Sequence, residues 1–255
     1  MTDKLNYKEY GSGEPVIILH GFLGMLDNWH SFAKKLSESY RVITVDQRNH
    51  GKSFHSDDFD YNIMSEDLNT FIDDLNLDNV NLIGHSMGGK TVMQFLTKYS
   101  SKAHKAVVVD IAPKQYNGGH EAILEALTTL DLSAIDKRSE AQDILMEKLG
   151  NIGVVQFLLK NLTRNSDQSY GWKANVKLLH QKYNEVSKAI KFDVPCEVPS
   201  LFIKGSKSSY IVDSDEMEIN QLFSKSKTVE IEGAGHWVHA EKPTELLHTV
   251  LNFFD

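Results

Sequence analysis

Apolar residues follow two rhythms along this chain. Short β-branched runs, Val16–Leu19, Arg41–Val45, Val80–Ile83 and Ala106–Val109, alternate with stretches in which apolar positions return every three or four residues. Those stretches are Met64, Leu68, Phe71, Ile72 and Leu75, then Val92, Phe95, Leu96 and Tyr99. Runs of this kind suit strands covered on both faces, and the helical stretches suit crossovers between them. The pattern predicts an α/β fold, a mostly parallel central sheet flanked by helices. From about Gln115 to Lys191 the strand rhythm stops, and Leu124, Leu127 and Leu130, then Val176, Leu179, Tyr183, Val186 and Ile190, keep helical spacing. The expectation is a helical cap over residues 115–191, inserted into a core built from residues 1–114 and 192–255. Strands return at Leu201–Ile203 and Thr228–Ile231. The chain closes on a helix opened by Pro243, with Leu246, Leu247, Val250 and Phe254 facing inward.

Composition narrows the function classes. With 255 residues, 41% of them hydrophobic and 9% aromatic, the chain has enough apolar surface for one large domain or a domain carrying a lid. A net charge of -8, from 35 acidic against 27 basic residues, gives no attraction to phosphate backbones or anionic bilayers, so neither nucleic acid nor a membrane is an expected partner. The opening MTDKLNYKEY has no apolar signal core, and no uncharged apolar run is long enough to span a bilayer; the expectation is a soluble cytoplasmic protein. One cysteine, Cys196, cannot form an internal disulfide or a multi-cysteine zinc site. There is no internal repeat and no low-complexity tract.

The chemistry concentrates at Gly84-His85-Ser86-Met87-Gly88, which follows the run Val80–Ile83 and precedes a helix expected from about Met87 to Tyr99. A serine on a sharp strand-to-helix turn projects its hydroxyl outward, and the turn leaves no space for side chains at the flanking positions, where this chain has glycine. This is the pattern of the nucleophile elbow of α/β-hydrolases. In that fold the general base comes last in the chain, which selects His236 in Gly233-Ala234-Gly235-His236-Trp237 from 11 histidines. His239 is the runner-up. His85 is adjacent to the serine and points elsewhere, while His20 and His50, beside Gly21 and Gly51, orient loops. Oxyanion donors are expected from the backbone N–H groups of Phe22 and Met87, one after an early strand and one after the nucleophile.

The triad acid is displaced. The usual position after the strand that follows the cap reads Gly205-Ser206-Lys207-Ser208, without a carboxylate. Asp213 and Asp215 lie next, at the start of a helix running through Leu222, where they serve as cap and first-turn charge. Asp110 instead ends the run Ala106–Val109 at its carboxyl edge, where ligand sites of open α/β sheets lie. It is the expected acid, with a turn-forming aspartate before Ile111-Ala112-Pro113 as the alternative. Ser208 in the vacated position offers His236 a hydroxyl, or is an ordinary loop serine.

The segments His20 to Gly24, Asp46 to Ser53, Gly84 to Lys90, Asp110-Ile111-Ala112-Pro113 and Gly233 to Trp237 together resemble the bacterial YbfF-type esterases and their mitochondrial α/β-hydrolase relatives. The likeness runs through nearly the whole core; Lys90, the D-I-A-P segment and the missing late aspartate are its more specific parts. The resemblance implies hydrolysis of carboxylic ester or thioester bonds, with the catalytic groups falling on Ser86, Asp110 and His236 and a supporting serine that contacts the histidine falling on Ser208. It carries no substrate, since residues 115–191 match no motif.

The expected reaction is acyl transfer through an acyl-enzyme, with a small acyl substrate as the only partner and no metal or organic cofactor. The chain would act as a monomer or dimer. Ser86 at the elbow argues against the dehalogenases and epoxide hydrolases of this fold, which use an aspartate there. Carbon–carbon bond hydrolases and related lyases keep the serine and stay open as an alternative. A ligand receptor without catalysis is disfavoured by Ser86 and His236.

Overall fold

The structure is a computed structural model that describes residues 4–255; residues 1–3 of the expected core segment lie outside the described residues. Nine strands are described: β1 (Tyr7–Tyr10), β2 (Pro15–Leu19), β3 (Arg41–Val45), β4 (Val80–His85), β5 (Ala103–Val109), β6 (Leu162–Arg164), β7 (Tyr170–Trp172), β8 (Ser200–Gly205) and β9 (Ser226–Ile231). Seven of them form one sheet in the order β1-β3-β2-β4-β5-β8-β9. All neighbours in it are parallel except β1, which pairs antiparallel with β3 on the edge.

Alternation along each strand builds two cores. Val16, Ile18, Val42, Ile83, Val107 and Ile203 face one side, against Phe32 and Leu36 of α1 (His30–Leu36) and Leu246 and Val250 of the last helix (Pro243–Phe254). Ile17, Leu19, Ile43, Leu82, Val108 and Phe202 face the other. There Leu68 and Ile72 of α2 (Tyr61–Asp74), and Val92 and Phe95 of α3 (Met87–Tyr99), cover them. Asp60 starts α2 by accepting the Ile63 N–H at 2.9 Å, an N-cap that satisfies one orphan donor.

Between β5 and β8 the chain forms α4 (Glu121–Thr128), α5 (Arg138–Leu149), α6 (Ile152–Leu159), α7 (Val176–Gln181) and α8 (Tyr183–Ser187). The strands β6 and β7, a small antiparallel hairpin that the helical spacing did not anticipate, lie among them. Beyond β8 come α9 (Asp215–Leu222), α10 (Val238–Glu241) and α11 (Pro243–Phe254). Among the described residues no helix is long and apolar enough to cross a membrane.

Candidate active site

Strand register brings two of the singled-out side chains together. β4 and β5 pair His85 with Val109, so the next residues, Ser86 and Asp110, leave the sheet side by side at its carboxyl edge. The Ser86 N–H donates to Val109 O at 3.0 Å and the Asp110 N–H to Ile203 O at 2.7 Å, which anchors both to neighbouring strands. Each takes a positive φ, 52° and 53°, a region that costs a non-glycine residue about 1 kcal/mol or more. The elbow is tight: a Cβ on Gly84 would sit 2.3 Å from Gly88 O, and one on Gly88 would sit 2.4 Å from Leu19 O.

His236 follows β9 and reaches both residues. Its Nε2 lies 3.1 Å from Ser86 Oγ, and its Nδ1 lies 2.7 Å from Asp110 Oδ2. Asp110 is fully buried, and its other oxygen accepts the Gly205 N–H at 3.1 Å. With the carboxylate on Nδ1, that nitrogen carries the proton and Nε2 is left to accept from the serine hydroxyl. Ser208 differs from expectation: its hydroxyl donates to Asp110 Oδ2, not to His236, whose Nδ1 is already engaged by the same oxygen. Asp213 and Asp215 do not join this group. Asp213 pairs with Lys204 at 2.8 Å, and Asp215 accepts from Lys114 at 2.6 Å and from the Val212 N–H at 2.9 Å. Neither side chain caps α9, whose N-cap is Ser214.

The other histidines weighed beside His236 sit elsewhere in the loops around the site. His20 accepts the Gln47 N–H on Nε2 at 3.0 Å and donates from Nδ1 to Gly21 O at 2.8 Å. His50 accepts the Leu23 N–H at 3.2 Å and donates to Arg48 O at 2.9 Å. Between them they shape the loop His20 to Gly24, in which Leu23 has φ 56°. Burial lowers His20 to about 4 and His50 to about 3, so both rings are neutral. His85 donates to the carbonyl of His236 at 2.8 Å and steadies that loop. His239 is buried flat on Trp29, at 4.5 Å between ring centres, and has no contact with Ser86. Among the described residues no acceptor engages the N–H of Phe22 or of Met87, the two donors placed by sequence, and Phe22 borders the cleft over Ser86.

That cleft encloses about 50 Å3. Its far wall comes from the segment between β5 and β8, through His120, Ile123, Val154, Phe157 and Leu158, with Trp237 beside His236. Three residues near the triad were given no role in the site by sequence reasoning. His120 bonds the Tyr183 hydroxyl at 2.9 Å, and its ring is edge-on to Phe22. Tyr210 stacks on His236. Lys90, almost fully buried, donates to the carbonyls of Lys114, Ser187 and Lys188. Of these only Lys90 stood out beforehand, as the extension of the Gly84 to Lys90 segment in the family resemblance. Among the described residues no group of three or more His, Cys, Asp or Glu gathers to hold a metal ion.

Residues 14–127 match the alpha/beta hydrolase fold family. Over 246 residues the chain is 34% identical to Esterase YbfF of Escherichia coli strain K12, an alignment covering 96% of this chain and 94% of that protein. It is 35% identical over 251 residues to the sn-1-specific diacylglycerol lipase ABHD11 of Danio rerio, covering 95% and 79%. Among solved structures, a marine microorganism esterase superposes with a TM-score of 0.97 at 42% identity, covering 99% of this chain and all of that one.

Proposed function

The chain belongs to the α/β-hydrolase fold family, and from that premise we propose that it is a serine hydrolase of the esterase type, cleaving carboxylic ester or thioester bonds of small acyl substrates. The observation that carries the reading is the unbroken line Ser86 Oγ, His236 Nε2, His236 Nδ1, Asp110 Oδ2 at the mouth of the cleft. In it Ser86 is the nucleophile, His236 the general base and Asp110 the orienting acid. As Ser86 Oγ bonds to the substrate carbonyl carbon, its proton passes to Nε2, and Asp110 balances the imidazolium. The carbonyl oxygen takes the negative charge and is met by the N–H groups of Phe22 and Met87. The imidazolium protonates the leaving alcohol or thiol. Water, deprotonated by the same nitrogen, then releases the acid and restores Ser86.

In this reading residues 115–191 are a cap over the core segments 1–114 and 192–255, and Ser208 supports Asp110. Room for about 50 Å3 under an apolar wall favours a short acyl group; a cavity three times larger is what holds one benzene ring. The reading extends to a cytoplasmic enzyme acting on a dissolved substrate as monomer or dimer, for which a single buried cysteine is suitable.

The test is a fluorophosphonate reaction followed by intact-protein mass spectrometry, beside turnover on p-nitrophenyl esters and acyl-CoA thioesters of graded chain length. The expected result is one adduct on the wild type, none on Ser86→Ala, and rates that peak at short chains. Equal labelling of both proteins would remove Ser86 as nucleophile. Preferential cleavage of a vinylogous diketone would move the activity to carbon–carbon hydrolysis, and rates climbing toward emulsified long chains would overturn the short-acyl reading.

A further inference from the structure

Two in-plane hydrogen bonds hold the His236 imidazole, one at each nitrogen, and two points define only an axis. Nothing in the Ser86 and Asp110 contacts stops the ring from rolling about that axis, which would tilt Nε2 away from the serine. Tyr210 supplies the third constraint. Its ring lies on the imidazole face with 3.8 Å between centres and planes within 16°. The backbone of Tyr210 is itself held on both sides. Its N–H donates to Ser208 Oγ at 3.2 Å, and its carbonyl accepts the Tyr116 hydroxyl at 2.6 Å. The same Tyr116 oxygen accepts the Ala112 N–H at 2.8 Å. The tyrosine face is therefore indexed to the segment that carries Asp110, on the loop where the usual carboxylate is missing. Burial pushes the Tyr210 phenol up to about 12, so the ring presents a neutral π face throughout the working range.

From this geometry we infer that Tyr210 is a positioning residue for the reaction, fixing the plane of His236 and offering its π face to the imidazolium that forms when Ser86 attacks. The inference rests on the esterase reading and adds to it a residue that the triad does not contain. The mechanism needs His236 to gain charge in a partly buried site. Asp110 meets that charge at the ring edge, and Tyr210 meets it at the face. Other titratable rings near His236 are His85, His120 and His239; burial lowers His120 to about 4, His239 to about 3 and His85 well below its ordinary value. In the folded chain their own protonation lies below the ordinary histidine range, and rates and spectra are compared only over the pH range in which circular dichroism shows each protein folded.

The experiment compares wild type with Tyr210→Phe, Tyr210→Leu and Tyr210→Gln, each shown to be folded by circular dichroism. It reads the acid limb of kcat/KM, kcat and KM on one short ester, and the titration of the His236 ring by NMR. Tyr210→Phe is expected to behave as wild type. Loss of the π face in the other two should shift the ring titration and the acid limb down by about half a pH unit or more, and lower kcat about tenfold with KM little changed. An unmoved titration in both folded, unstacked variants would overturn the inference, as would a Phe variant that loses as much as Leu. Absence of ester turnover in the wild type would overturn the esterase reading instead, and the NMR titration would still decide the role of Tyr210.

Discussion

Asp110 has the three contacts expected of an orienting acid: the imidazole, the Gly205 N–H and the Ser208 hydroxyl. Converting it to asparagine keeps the shape but puts an amide where the carboxylate holds Nδ1–H, which permits the wrong tautomer and leaves the imidazolium uncompensated. Turnover of Asp110→Asn is expected to fall by about 10⁴-fold, as amide replacement does in another serine hydrolase. Ser208→Ala removes one donor to the carboxylate and one acceptor for Tyr210, so the expected loss is smaller, about tenfold. Asp213→Asn, on the protein surface, should match wild type, whereas Asp215→Asn should lose stability and keep most of its turnover, since its partners are Lys114 and Val212. Turnover numbers on one ester, with thermal melts, check the series. A collapse confined to Asp213→Asn would return the acid to the late loop.

At the scale of elements, α3 links the turn at Ser86 to the segment between β5 and β8 that lines the cleft. The Lys90 N–H closes the first turn on Ser86 O at 3.1 Å, while its ammonium binds carbonyls on both chain crossings, Lys114 on entry and Ser187 with Lys188 on exit. The crossings are also joined directly, Tyr116 N–H to Ser187 O at 2.9 Å and Ile190 N–H to Pro113 O at 2.7 Å. Lys90→Met fills the space and leaves buried carbonyls without a donor, a penalty of about 1–3 kcal/mol for a group left unpaired. Amide exchange at Tyr116 and Ile190 is expected to quicken roughly 5- to 30-fold, while the β4 and β5 amides hold. Hydrogen exchange read by NMR or mass spectrometry checks it. Unchanged exchange at both amides would show that the crossings need no ammonium.

For the whole molecule, the buried bases set the response to acid. His20, His50, His85 and His239 all titrate lower in the folded chain than their ordinary value of 6.5, chiefly through burial. Below that value the unfolded chain takes up protons that the folded one refuses, so the contribution of these rings to stability is full above about pH 6.5 and is lost as pH falls toward 4 and 3. Each ring contributes about 1.4 kcal/mol per pH unit within its window, and four of them across one to two units rival the 5–15 kcal/mol that holds a typical domain. Lys90, brought down to about 7 by burial and then by the nearby Lys114, acts in the same direction from about pH 10 to 7. The expectation is a steep, cooperative acid transition between about pH 6 and 4, accompanied by uptake of several protons. Circular dichroism across pH, with proton uptake by titration, tests it, and a chain still folded at pH 3.5 would contradict it.

Local order was readable from residues alone. Five strands buried on both faces announce themselves as apolar runs, and the edge strand β9 showed through its β-branched Thr228, Val229 and Ile231, while the other edge strand, β1 (Tyr-Lys-Glu-Tyr), carries no such residues and was not visible. The three-residue strands β6 and β7 are too short to carry a rhythm. Ser86, Asp110 and His236 could each be singled out by spacing, since a turn that admits only glycine neighbours and a strand-end carboxylate are local facts. Their alignment is not local: His236 lies 126 residues from Asp110 and 150 from Ser86. Only the pairing of β4 with β5, of β5 with β8 and of β8 with β9 brings the three loops to one edge. The same closure turned Ser208 toward Asp110 and laid Tyr210 on the imidazole. It also drew three carbonyls onto Lys90. Periodicity records what one element buries, and a side chain's choice of partner is made by elements that meet only once the sheet has formed.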